Sequence, residues 1–363
     1  MKILVFISKV SATEFAVFDD GVQVLNKSLE HPAPELHALL APNEQGQFRL
    51  NAMMEVLDEQ EIDLGLIDII ATQTECRDLP CGIYLVNRLL VDCFSRGSIE
   101  ENHQRAAIFM AWTLTEFING NYDTECIPIA VELAIESEIM KEAVLSGLKG
   151  VTRIPVFHVF SHRAAAAFYA WENNKGVNDI RLVIAHLGTE ISVVAYDRGR
   201  IIDSNSPLDG EGPFSPSTSG TLPADALVDL CFSGRYDMDE MLEKVTAAGG
   251  LTAHLGSGKL SVIQESWHEE DEKTRFVIRA MAGRVAKEIG ARASALRGKV
   301  DGIILTGPWA VFTEFTDEIE SRVRWIANTK ISIYGDEIFL LANTAMEMFR
   351  GNIKLFLYGE KDR

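Results

Sequence analysis

Residues 182–202 read LVIAHLGTEISVVAYDRGRII, and residues 3–25 read ILVFISKVSATEFAVFDDGVQVL. The two stretches share one plan. Each is an apolar strand, a polar turn, a second apolar strand, an Asp-led turn containing glycine (Asp19–Gly21 and Asp197–Gly199) and a third short strand. Turns of this composition between β-branched runs mark hairpins. A three-strand unit that returns after about half the chain reads as an internal duplication.

The halves continue to correspond outward from these stretches. A helical segment near 51–61 leads to the strand IDIIAT (67–72), and a longer segment, 272–298, leads to DGIILTG (301–307). In the longer segment Val277, Met281, Val285, Ile289 and Leu296 recur at helical spacing among alanines, which predicts a buried helix. IPIAV (127–131) corresponds to ISIY (331–334), with helices expected over 105–118 and 337–350. Strands first and alternating helix and strand afterwards predict an α/β fold of two duplicated lobes. Each lobe is a mixed sheet flanked by helices, with an interdomain cleft, the usual place for a ligand. The expected lobes are 1–165 and 166–363, with the C-terminal helix able to pack back onto the first. The loop 204–223, SNSPLDGEGPFSPSTSGTLP, is long and rich in Gly, Pro and Ser, the composition of a functional loop.

The chain has 363 residues, enough for about two domains, and 47% of them are hydrophobic, so a sizeable core is expected. Lys plus Arg is 34 against 53 Asp plus Glu, a net charge of −19. With no Lys/Arg block, the chain is not expected to bind a nucleic-acid backbone, although one local pocket can still take a nucleotide. No apolar run reaches the ~18–20 residues needed to span a bilayer, so no membrane partner is expected. The opening MKILVF lacks the apolar region and cleavage site of a signal peptide. Five cysteines without a Cys/His partner pair argue against zinc and for reduced thiols, so a cytoplasmic location is expected.

Several local words are more specific than the fold. DGEGPFSP (209–216), SG (219–220), LP (222–223), LCFSGRY (230–236), GGLTAHLG (249–256) and KEIGARASAL (287–296) occur in order along the chain. Together they resemble the signatures of the butyrate kinase family, within the acetokinase superfamily and its actin-like ATPase fold. The resemblance implies transfer of a phosphoryl group from ATP to a short-chain carboxylate, giving ADP and an acyl phosphate. It also implies Mg²⁺ to neutralise phosphate charge, and a homodimer.

The resemblance fails where cations are expected. The family's Asn-Pro-Gly-Ser-Thr-Ser-Thr-Lys turn is here Ile7 through Glu14, so Glu14 replaces a lysine and Lys9 replaces the glycine. The arginine after the fourth strand is Thr72, with Arg77 five residues on as a substitute. A second arginine, in the signature loop, is Thr218, and threonine cannot replace an always-charged guanidinium fork. The glycine-rich phosphate turn reads His186-Leu187-Gly188-Thr189-Glu190, and the turn expected near adenosine reads Thr306-Gly307-Pro308-Trp309. Trp309 either stacks on a base or fills the space.

By the resemblance, His158, Glu337 and Arg77 are the catalytic candidates. Gly188, Gly210, Gly212, Thr306 and Gly307 are the nucleotide-binding candidates, and Glu337 and Glu132 the carboxylates for Mg²⁺. His162 follows His158 at the spacing that puts both on one helix face. Each candidate also has a purely structural reading: a packed histidine, an acidic residue at a helix start, or, for Asp209 and Glu211, residues that order their loop. Three functions follow: a weakly active or non-catalytic paralogue that binds a nucleotide, a carboxylate or an intact relative; an active butyrate kinase; or a phosphotransferase with a remodelled pocket using His158, Lys9 or Arg77.

Overall fold

The computed structural model describes residues 1–9, 11–39, 41–74, 82–95, 102–132, 138–153, 158–332 and 337–359. The chain forms two compact units, one of 1–134 with 337–363 and the other of 135–336. The boundary falls at Ala134/Ile135, whereas the sequence reading placed it at 165/166. The C-terminal segment belongs to the first unit.

The first unit is built on seven strands: β1 (Lys2–Ser8), β2 (Ala12–Asp19), β3 (Val22–Glu30), β4 (Ile67–Thr74), β5 (Gly82–Leu85), β6 (Ile127–Glu132) and β12 (Leu355–Leu357). Their order is β12-β5-β6-β4-β1-β2-β3. β1 pairs antiparallel with β2 and parallel with β4, which pairs parallel with β6. Alternation along β1 sends Leu4 and Phe6 into a core with Leu50, Met53, Met110 and Leu114 from the helices Pro42–Glu59 and Asn102–Asn121. Ile3, Val5 and Ile7, one residue out of phase, are equally buried. Helix Glu337–Phe349 packs on β1, β2 and β4, and the ring of Phe339 lies 6.4 Å from that of Phe18.

The second unit repeats the arrangement. β7 (Arg181–Leu187), β8 (Ile191–Asp197), β9 (Arg200–Ser204), β10 (Gly302–Thr306) and β11 (Thr329–Ile331) lie in the order β11-β10-β7-β8-β9. The duplication extends to the tight turns. Asp20 and Gly21 have φ 47° and 83°, and Arg198 and Gly199 have φ 49° and 89°. Both turns thus have positive φ at the two central residues, as the strand twist of a two-residue hairpin favours. The helix Glu272–Ala295 buries Val277, Met281, Val285 and Ile289 against Val183, Ala185, Val193 and Leu305, as its periodicity predicted. The last strand starts at Thr329, two residues before the expected ISIY, whose end lies outside the described residues.

The folds agree with the composition. No helix among the described residues is long and apolar enough to cross a membrane.

A buried polar chain fastens the β1–β2 hairpin. Arg49, fully buried, donates to the Ala12 carbonyl at 2.7 Å and to Thr13 Oγ1 at 3.2 Å. Thr13 Oγ1 lies 2.8 Å from His31 Nε2. Burial, with the charge of Arg49, holds His31 down at about 4. Its folded pKa lies below its unfolded value, so between about pH 6.5 and 4 only the unfolded chain takes up this proton, and stability falls as pH falls. His31→Gln is expected to flatten the slope of unfolding free energy against pH by up to one proton, ~1.4 kcal/mol per pH unit. Urea denaturation between pH 7 and 5 measures it, and equal slopes in both proteins would refute it.

Candidate functional site

The second unit collects the chemistry where β7 and β10 end. His186, near the end of β7, stands opposite Ser192 on β8 and opposite Thr306 on β10. His158 precedes helix Val159–Glu172 with a left-handed backbone, φ 52°. His162 donates its amide to the His158 carbonyl at 3.0 Å, so the two share the first helical turn, as their spacing predicted. His158 Nδ1 lies 2.9 Å from Ser192 Oγ, and His162 Nε2 lies 2.8 Å from the same oxygen. The ring of His158 stacks on that of His186 at 4.0 Å. Burial, then His186 and His162, push His158 well below the ordinary imidazole range; burial and His186 do the same for His162. His158 and His162 are therefore neutral near pH 7.

The signature loop lies against the turn at the end of β7. The Thr189 carbonyl accepts from Ser215 Oγ at 2.5 Å, Ser217 Oγ at 3.0 Å and the Ser217 amide at 3.2 Å. Thr218, the threonine at the family's arginine position, is fully buried, with its Oγ1 2.8 Å from Ser215 Oγ. Glu190 accepts from Thr189 Oγ1 at 2.7 Å. The loop's other end is held by Arg153, which meets Glu211 Oε1 at 2.7 Å and Oε2 at 3.0 Å. Arg153 also donates to the carbonyls of Ala143 and Ser204. Glu211 thus orders its loop. Gly210 closes the short turn Pro207–Asp209, and the Gly212 amide donates to Thr221 Oγ1 at 3.0 Å, so both glycines serve the same loop.

A cavity of about 550 Å³ opens beside this turn, and Thr189, Ser217, Thr252, Lys259, Ser261 and Trp309 are among its lining residues. Gly188 and Gly307 flank the liners Thr189 and, through Pro308, Trp309. Gly307 has φ +90°, and a Cβ there would sit 2.7 Å from the Leu187 carbonyl oxygen, so the turn after β10 presses on the turn after β7. Trp309 is only 3% exposed and packs against Phe312 and Phe315, so most of its ring fills the core rather than standing open. Lys259 is exposed and has no salt-bridge partner among the described residues.

The first unit contains the remaining candidates. Lys9 Nζ is 2.7 Å from Glu14 Oε1, so these two substitutions neutralise each other. Thr72 is fully buried and donates to the Phe6 carbonyl at 2.9 Å, which ties β4 to β1. Glu132 ends β6, 4% exposed, and Glu337 begins its helix. Arg77 lies outside the described residues. Among the described residues no three His, Cys, Asp or Glu side chains form a metal-holding group.

Ser192, Arg153 and Lys259 escaped the sequence reading. Ser192 had a signal: it is the one hydroxyl in the apolar run ISVVA, and a polar group in a doubly buried strand needs a partner. Arg153 had none, because its partners come from three separate segments.

The sequence model of the acetokinase family matches residues 134–338, more than half of the chain. The acetate kinase of Porphyromonas gingivalis superposes with a TM-score of 0.75 at 16% identity, covering 96% of this chain and 99% of that one. The acetate kinase of Entamoeba histolytica gives 0.73 at 12% identity over 95% and 99%. A propionate kinase from Francisella tularensis subsp. tularensis SCHU S4 gives 0.71 at 14% identity over 94% and 98%. At such identities the likeness is one of fold, and it spans both units.

Arg153→Ala leaves Glu211 without its fork and two carbonyls without donors. A loss of about 2–3 kcal/mol is expected, with faster amide exchange and new protease cleavage within 204–223. Unchanged exchange across that loop would show that Arg153 does not hold it.

Proposed function

The chain belongs to the acetokinase family, and from that premise we propose that it binds a nucleotide in the cavity of the second unit and transfers phosphoryl groups slowly or not at all. One observation carries this reading. At the positions where family resemblance expects phosphate-contacting cations, the side chains are bonded within the protein: Thr72 to the Phe6 carbonyl, Thr218 to Ser215, and Glu14 to Lys9. Removing one donor that stabilises a transition state commonly costs about 10²–10³ in rate, and removing several that act as a unit costs more than one but less than the product.

The cavity supports the binding part. Its volume suits a small organic ligand, Lys259 supplies a cation for phosphate oxygens, and the hydroxyls of Thr189 and Ser261 supply polar contacts. Mg²⁺ would bring charge neutralisation at the phosphates. With no protein cage of three ligands among the described residues, it would be held chiefly by the nucleotide's own phosphates and water. The neutral His158 offers one N–H to an anionic oxygen without adding charge.

A second reading, an active butyrate kinase, is favoured by the ordered His158–His186–His162–Ser192 cluster and the intact words DGEGPFSP and LCFSGRY. A remodelled phosphotransferase would draw on His158, Lys9 or Arg77, and of these Lys9 is paired with Glu14. Trapping acyl phosphate as hydroxamate, with ATP, Mg²⁺ and a panel of short carboxylates, separates the readings. Turnover at least ~10²-fold below an acetate kinase assayed in parallel is expected. Calorimetry should detect ATP or ADP, and Lys259→Ala should weaken it about tenfold, ~1.4 kcal/mol. Relative-like turnover defeats the slow-transfer reading, and no nucleotide binding at millimolar concentration defeats the binding reading.

The partner we propose is a second copy of the chain, with an intact paralogue as the alternative. Helix Ala224–Cys231 buries no residue of its own, and Val228, Phe232, Met238 and Leu242 are 53%, 86%, 77% and 49% exposed. An apolar group of this kind on a soluble surface marks an interaction site. Val228→Glu with Phe232→Glu is expected to convert a dimer to a monomer in light scattering with unchanged circular dichroism. A wild-type monomer at micromolar concentration would defeat the proposal.

A further inference from the structure

We infer that Ser192 and His162 are positioning residues that fix the tautomer of His158, leaving its proton on Nε2. This rests on the reading above that His158 faces the ligand of a kinase-like site. The geometry is a chain of three groups. One oxygen, Ser192 Oγ, lies between His158 Nδ1 at 2.9 Å and His162 Nε2 at 2.8 Å. Ser192 and His162 are both fully buried.

A hydroxyl has one proton to donate and lone pairs to accept with, and a neutral imidazole has one N–H and one acceptor nitrogen. Both rings are neutral, since burial and the neighbouring ring of His186 disfavour their charged forms. Three arrangements of protons then satisfy both short contacts. In the first, His162 Nε2–H donates to Ser192 Oγ, and the serine hydroxyl donates to His158 Nδ1. In the second the direction reverses, with His158 Nδ1–H donating to Ser192 and Ser192 donating to His162 Nε2. In the third both rings donate to Ser192, and its own proton must find another acceptor.

The far nitrogen of His162 decides among them. His162 Nδ1 is buried and has no hydrogen-bond partner. The second arrangement puts a proton there and strands a buried N–H, which costs more than a lone pair left unused. The third strands the serine O–H as well as the Nδ1 lone pair. The first strands only one lone pair. The proton order is therefore His162 Nε2–H to Ser192 O–H to His158 Nδ1, and His158 carries its proton on Nε2.

The consequence is electrostatic. An Nε2–H attracts an anionic oxygen, whereas the opposite tautomer would present a lone pair and repel it. Two residues away from the ligand thus set the sign of the contact. The strand register places Ser192 opposite His186, so the hairpin that carries the stacked ring also carries the relay.

Nitrogen NMR of the full-length protein, labelled with ¹⁵N-histidine and free of ligand at pH 7, reads the tautomers directly. His158→Gln assigns the resonances. The expected result is a single Nε2–H species at His158 and Nε2–H at His162. Ser192→Ala should turn His158 into a mixture of tautomers, and Ser192→Thr, which keeps the hydroxyl, should restore the single species. An Nδ1–H form at His158 in the wild type, or a Ser192→Ala pattern identical to it, overturns the proposal. The wild-type measurement decides even if a variant fails to fold. The readout needs neither nucleotide nor turnover, so its failure is distinct from failure of the function proposed above.

Discussion

A polar group taken out of water must find a partner, because each one left unpaired costs about 1–3 kcal/mol. Sheets buried on both faces leave few places for such groups, and in this protein they gather where the strands end. Which partner they find there governs the rest of the site. Thr72 has the Phe6 carbonyl, Thr218 has Ser215, Glu211 has Arg153, and Lys9 has Glu14. Each pairing lies within one unit and closes without a ligand. A phosphate-binding turn works in the opposite way, holding donors in wait for an anion. These pairings stabilise the turns and the loop that carry them.

The family model and the fold divide the chain at nearly the same places. The family model covers 134–338, and the second unit is 135–336. There the signature loop keeps its glycines, its Glu211 and the serines that bond to the Thr189 carbonyl. These are folding features, and they keep the recognisable words. The first unit lies almost wholly outside the family model, so its likeness to the acetate kinases is one of shape. A duplicated sheet can tolerate this, because alternating apolar residues hold the strands while the turns vary freely.

The same physics explains what could be read in the sequence. The three-strand units were legible because continuous apolar runs and the Asp/Gly composition of the hairpin turns are local. The long helix 272–295 was legible because its apolar spacing is local too. The unit boundary was not, since it depends on Glu337–Phe349 packing against β1 and β4, far away in the chain. His158 was singled out by the family resemblance, and His162 by its spacing from it. The loss of cations was legible residue by residue, but not its consequence. Nothing in the letters Thr72 or Thr218 says that the hydroxyl turns inward to bond the backbone or a neighbouring serine. Arg153 was invisible because a long side chain that bridges Ala143, Ser204 and Glu211 has no sequence period.

Two of the histidines around the end of β7, His158 and His162, are held neutral. Burial disfavours their charged forms, and the neighbouring ring of His186 adds to that cost. Three charged donors would give a phosphate site strength that grows as the anion's charge develops, which is what transfer chemistry needs. Neutral N–H and O–H donors give direction with little net charge. Lys259, exposed at the cavity and unpaired among the described residues, adds a single charge that can attract a phosphate without surrounding it. This low count of positive charge is a second support for the proposal of nucleotide recognition with slow or no transfer.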